Sequence, residues 1–187
     1  MSRVILGVDP GLTRCGVAVI SSSSSRKVSL ISVDTIRTSP SMELTERLAV
    51  IGNSIELLIS EHKPDALAIE RVFAQANLRS VMGVAQISGV VMYLAKKHDI
   101  PVQMHTPSEV KAAVTGSGRA QKAQIGSAVA KILGLGEIPK PADSADALAI
   151  AICNAWRASS SPTSTSKLNT KAQEAWLNAE RVAKRKP

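Results

Sequence analysis

Apolar residues in the first third of the chain come in short runs, at 4–8, 16–20 and 28–36, separated by Pro10-Gly11-Leu12-Thr13 and by the serines 21–25. Runs of that length with turn residues between them read as strands, and connections this short imply antiparallel neighbours. From 43 to 62 the period changes. Leu44, Leu48, Ile51, Ile55, Leu58 and Ile59 recur every three or four residues, one face of an amphipathic helix that Lys63-Pro64 ends. Ala66-Leu67-Ala68-Ile69 is a short buried strand closed by Glu70, followed by an apolar helix over 81–97 and a strand over 102–105 after Pro101. The last third reads as helices over 108–114, 121–133 and 143 to about 158, punctuated by Gly116, Gly118, Gly134, Gly136, Pro139 and Pro141. Strands alternating with helices pair in parallel, so the fold class is α/β: a mixed five-stranded sheet with helices on both faces. No internal repeat is visible.

The helix over 81–97 is apolar almost all round, with Val81, Met82, Val84, Ala85, Ile87, Val90, Val91, Met92 and Leu94. Such a helix is buried on two sides. Either it is enclosed within the monomer, or one side packs on the sheet while Gly83, Ser88 and Gly89 let a second copy approach.

At 187 residues and 44% hydrophobic, the chain can bury a full core. The first apolar run is too short for a signal region, and the stretch 81–95 falls short of the roughly 20 residues that cross a bilayer. Cys15 and Cys153 fit no metal-ligand or disulfide spacing. These features point to a reduced, cytoplasmic protein without a membrane span. The net charge of +8 points to a polyanion partner. Residues 158–187 hold six basic residues against Glu174 and Glu180, half of that excess, behind a Ser/Thr-rich entry too polar to pack. The domain boundary therefore falls at 157/158, with a Ser-rich linker and a basic, flexible tail beyond it.

Asp9, Glu70, Asp143 and Asp146 each stand where an apolar element begins or ends. Ligands gather at strand ends in such sheets, so Asp9 and Glu70 can point into one crevice. Asp143 and Asp146, three apart, share one helix face. Singly, Asp9 could be a turn acid before Pro10-Gly11 and Asp143 a helix N-cap. Jointly, four converging carboxylates repel, and at least one stays protonated unless cations fill the gap. Oxygen ligands without His or Cys select Mg²⁺ or Mn²⁺, and two such ions can promote phosphodiester hydrolysis.

Arg71, Arg79, Lys111, Arg119 and Lys122 are candidates for a DNA-facing surface, several of them near glycines that let a backbone approach phosphate. With one Phe, one Tyr and two Trp there is no extended stacking platform for single strands, so a duplex or branched substrate fits better. Phe73, just after Glu70, is either a core residue or an exposed wedge.

Ile5-Leu6-Gly7-Val8-Asp9-Pro10-Gly11, Ala68-Ile69-Glu70-Arg71-Val72-Phe73 and Ala142-Asp143-Ser144-Ala145-Asp146-Ala147-Leu148-Ala149 together resemble the RuvC family of Holliday junction resolvases. Pro107-Ser108-Glu109-Val110-Lys111, Gly116-Ser117-Gly118 and Lys122 extend the resemblance across about 4–157. It implies a ribonuclease H-like fold, a homodimer, and Mg²⁺-dependent symmetric nicking of two strands of a four-way DNA junction in recombination and repair. It also implies action with the RuvA and RuvB branch-migration proteins. By motif position, Asp9, Glu70, Asp143 and Asp146 match the family's catalytic acids. Phe73 matches its junction-inserted aromatic, and Lys111 and Lys122 its DNA-contacting lysines. The tail has no placeable counterpart in the family core. Alternatives are a related ribonuclease H-like nuclease acting on RNA or another branched structure, and a junction-binding protein without catalysis, which the four intact acids oppose. An actin-like or sugar-kinase-like ATPase would need a duplicated second domain.

Overall fold

The computed structural model describes residues 2–71 and 78–158. Three strands open the chain, β1 (Arg3–Asp9), β2 (Arg14–Ser22) and β3 (Val28–Arg37), followed by α1 (Leu44–His62), β4 (Ala66–Glu70), α2 (Leu78–Lys97) and β5 (Val102–His105). Helices α3 (Pro107–Thr115), α4 (Lys122–Leu133) and α5 (Ala142–Ala158) complete it. The sheet order is β3-β2-β1-β4-β5. The first three strands pair antiparallel, and β1, β4 and β5 pair parallel, as the connection lengths require. β2 runs two residues farther at each end than its predicted apolar run, because backbone pairing continues through Arg14 and Cys15 at one end and Ser21 and Ser22 at the other.

Alternation along β1 sorts its side chains between two cores. Leu6 and Val8 pack with Ile51, Ile55, Ile87 and Val91 under α1 and α2, whereas Ile5 joins Leu148, Ile152, Val129 and Val110 under α3, α4 and α5. The sheet thus carries helices on both faces.

Helix ends follow local chemistry. Lys63 adopts a left-handed conformation (φ 45°) after α1, and its amide bonds the Ile59 carbonyl. Thr106 and Glu109 form a reciprocal capping box at the start of α3.

On α2 the two-sided burial expected from its sequence is not met within one chain. Ile87, Val91, Leu94 and Ala95 face the core, but Met82 and Tyr93 are 59% and 67% exposed and Met92 is exposed as well. The helix is therefore not enclosed by the monomer. Among the described residues, no helix is long and apolar enough to cross a membrane. Both cysteines are buried free thiols. Phe73 and the tail fall outside the described residues, as does the side chain of Arg79.

Candidate active site

Val8 of β1 lies opposite Ile69 of β4 in a parallel ladder, so Asp9 and Glu70 leave neighbouring strands at the same end of the sheet. Asp9 pairs across to Gly16 of β2. Gly16 and Gly7 are what allow α5 to reach these acids. A Cβ on Gly7 would stand 2.5 Å from the Ala147 carbonyl oxygen and 2.8 Å from the Ala151 Cβ, and one on Gly16 would overlap the carbonyl of Asp143. The helix therefore lies directly on the strand backbones, which brings Asp143 and Asp146, one turn apart, beside Asp9. The Thr35 and Ser144 hydroxyls share a buried hydrogen bond of 3.0 Å that ties the start of α5 to β3. Asp143 sits inside the first turn of α5, which begins at Ala142, so it is not the N-cap of that helix.

The electrostatics show the cost of gathering these groups. Burial, and then repulsion from Glu70, Asp146 and Asp143, pushes the Asp9 carboxyl up to about 7, against a smaller opposing effect of Lys122. Glu70 is also raised, by burial first and by Asp146 second. Asp9 thus keeps its proton up to near neutrality, through burial first and repulsion from the other acids second. Two cations answer part of this charge. Lys122 Nζ stands 3.1 Å from Asp146 Oδ2, a contact that raises the lysine in turn, and Arg14 Nε stands 3.2 Å from Asp143 Oδ2.

Asp9, Glu70 and Asp146 line a cleft of about 280 Å³ together with Lys111, Lys122 and an apolar wall that includes Val110, Ile125 and Ile150. Asp143 borders the cluster from the β2 side, drawn toward Arg14. Its all-oxygen donor set suits a hard divalent cation, and the raised carboxyl of Asp9 marks an excess of negative charge that such a cation would relieve. Among the described residues no three candidate ligands close to a coordination sphere in this conformation, in which Asp143 and Asp146 pair with Arg14 and Lys122.

Of the basic candidates, Lys111 and Lys122 face the acids. Arg71 is exposed one residue past Glu70, its amide donating to the His105 carbonyl at 2.7 Å. Arg119 lies apart from the cleft, in a shallow groove between the end of α3 and the start of α4 with Thr115, Ser117 and Gln121. Sequence reasoning missed Arg14, although its place at the start of the strand that pairs antiparallel with β1 was the available signal. It also missed Arg47 of α1, whose Nε donates to Thr38 Oγ1 at 2.9 Å and Nη2 to Thr13 Oγ1 at 2.8 Å. Arg47 thereby braces the turn between Asp9 and Arg14.

Comparison with known proteins places this geometry among nucleases. The family model described as "Crossover junction endodeoxyribonuclease RuvC" matches residues 5–154. A protein of that name from Clavibacter michiganensis is 52% identical over 195 residues, covering 95% of this chain and 96% of the relative. Another, from Paenarthrobacter aurescens, is 50% identical over 188 residues and covers 100% of both chains, so its alignment runs through the tail. Among solved structures, Thermus thermophilus RuvC in complex with a Holliday junction substrate superposes with a TM-score of 0.80 at 33% identity, covering 84% of this chain and 96% of that one.

Proposed function

This chain belongs to the RuvC family of crossover junction endodeoxyribonucleases, which resolve Holliday junctions, and we propose that Asp9, Glu70, Asp143 and Asp146 form the site at which it cuts. The observation that carries this assignment is the convergence of three elements on one cleft, with Asp9 held up to about 7 by its burial and by the other three acids. A site kept so acidic without a bound cation is destabilising, and function is the reason for such an arrangement.

Nuclease activity in this family is metal-dependent. Here the four carboxylates would hold Mg²⁺, with Mn²⁺ as a substitute, and two ions per site suit four acids. When bound, these ions supply an acidified water and take up charge that develops on the leaving oxygen. The protein's own residues do the rest. Lys111 and Lys122, on the wall facing the acids, bind the phosphate backbone and orient the scissile phosphate toward Asp9. Lys122 exchanges its partner Asp146 for phosphate as the strand enters. Arg71, Arg79 and Arg119 serve as further DNA contacts, and Phe73, from the segment following Glu70, acts at the junction itself.

The exposed apolar positions of α2 support a homodimer. Met82, Ala85, Gly89, Met92 and Tyr93 recur along one outward stripe, and nothing lies within 4 Å of where a Gly89 Cβ would be. Two copies give two sites, as paired nicking of opposite strands requires. Residues 1–157 are the nuclease unit and 158–187 a basic appendage. The cytoplasm is its place of action and RuvA and RuvB its partners, which the family relationship supports.

Glu70→Gln and Asp146→Asn test the assignment. Each keeps the side-chain shape and removes a ligand charge. Cleavage of a four-way junction should fall at least a hundredfold while junction binding in the absence of divalent metal persists. Retained cleavage in either variant would remove these acids from the site.

A further inference from the structure

At the end of the sheet that carries the acids, the strands present an ordered row of charges. Reading across from the β3 edge, Arg37 stands directly opposite Arg14 in the β2–β3 ladder, Asp9 follows on β1, and Glu70 on β4. Lys111 and Lys122 lie beyond, on the far wall of the cleft. The arginine pair is anomalous, because like charges directly opposite across two strands repel. Arg14 is 60% exposed and shares only Asp143, and Arg37, also exposed, has no acid within ion-pair distance among the described residues. Arg14 pairs with Asp143 and not with Glu43 or Glu46, the acids around the start of α1. Both arginines share the sheet face of Thr35 and Gly16, the face on which α5 begins. Arg47 fixes the turns that carry them by bonding Thr13 and Thr38.

We propose that Arg14 and Arg37 form a second phosphate-binding track on the flank of the cleft opposite Lys111 and Lys122, engaging the backbone of the strand being cut on the other side of the scissile phosphate. This rests on the proposed function and extends it. Two strand spacings separate β3 from β1, roughly 10 Å. At about 3.4 Å of rise per nucleotide, Arg37 addresses a phosphate within about three nucleotides of the cut. An anion between the two guanidinium groups resolves their mutual repulsion, and bidentate geometry suits phosphate.

The test is the salt dependence of four-way junction binding by the full chain in EDTA, comparing wild type with Arg37→Gln, Arg37→Lys and Lys27→Gln. Lys27 lies beyond the other end of β2, whose nine residues span roughly 26 Å, and it removes the same charge far from the site. The track predicts that Arg37→Gln lowers the slope of log affinity against log salt by about 0.9, while Arg37→Lys and Lys27→Gln keep the wild-type slope. A wild-type slope for Arg37→Gln, or an equal loss in Lys27→Gln, overturns the track and leaves the acid site standing. Failure of the wild type to bind junction at all overturns both. Thermal melts of each variant, expected to match wild type for these exposed positions, keep misfolding from imitating the result.

Discussion

On the proposed assignment, Asp9 is where function and stability oppose each other most directly. Its folded value of about 7 lies above the 3.8 of an ordinary Asp, so as pH rises the unfolded chain gives up this proton first. The contribution of Asp9 to folded stability therefore falls between about pH 4 and pH 7 and levels off above that, by at most about 4 kcal/mol. Asn resembles the protonated acid, so Asp9→Asn should leave the melting temperature unchanged at pH 4 and raise it at pH 8, both in EDTA. A lower melting temperature at pH 8 would mean that the carboxylate is not under repulsion. The same proton competes with a cation. Mg²⁺ binding measured calorimetrically without DNA should weaken about tenfold per pH unit below about pH 7 and be level above it; a flat profile from pH 5 to 8 would remove Asp9 from the ligand set. The gathering of the four acids was legible in the sequence because each ends or opens an apolar run. Arg14 was not, because its role depends on the register that places it beside Asp143, and register is a property of paired strands.

Among the elements, α5 does most to assemble the site, and its placement depends on two residues with no side chain. Gly7 and Gly16 let the helix rest on β1 and β2, so that a single helix carries two acids to a third. Gly7→Ala should force α5 away from β1, costing roughly 1–3 kcal/mol in urea unfolding and reducing cleavage beyond what the stability loss explains. Unchanged stability would contradict the close approach. The periodicity of α1, and the glycines and prolines that punctuate the last third around α4 and α5, located these helices within one or two residues. For α2 the periodicity was ambiguous. An apolar residue on every side is compatible with either enclosure or association, and only the placement of Met82 and Tyr93 outward separates the two. The proposed wedge Phe73 lies outside the described residues and stands on its position after Glu70 alone.

For the whole molecule, paired cutting requires two sites held in fixed relation. Tyr93→Glu, on the exposed stripe of α2, should convert a dimer to a monomer in sedimentation at micromolar concentration, with an unchanged circular dichroism spectrum; a wild type that sediments as a monomer would remove the dimer. The basic appendage should add sequence-independent DNA affinity, so ending the chain at residue 158 should flatten the salt dependence of junction binding. The mixed sheet with helices on both faces followed from connection lengths, but the row of charges at its end did not, because it joins residues from four strands. The decisive measurement is cleavage of a mobile four-way DNA junction, beside a linear duplex of equal sequence, by the wild type and Asp9→Asn with and without Mg²⁺. Symmetric paired nicks are expected in the junction alone, dependent on both the metal and Asp9. Junction cleavage by Asp9→Asn at the wild-type rate, or equal cutting of the linear duplex, would contradict the proposed function.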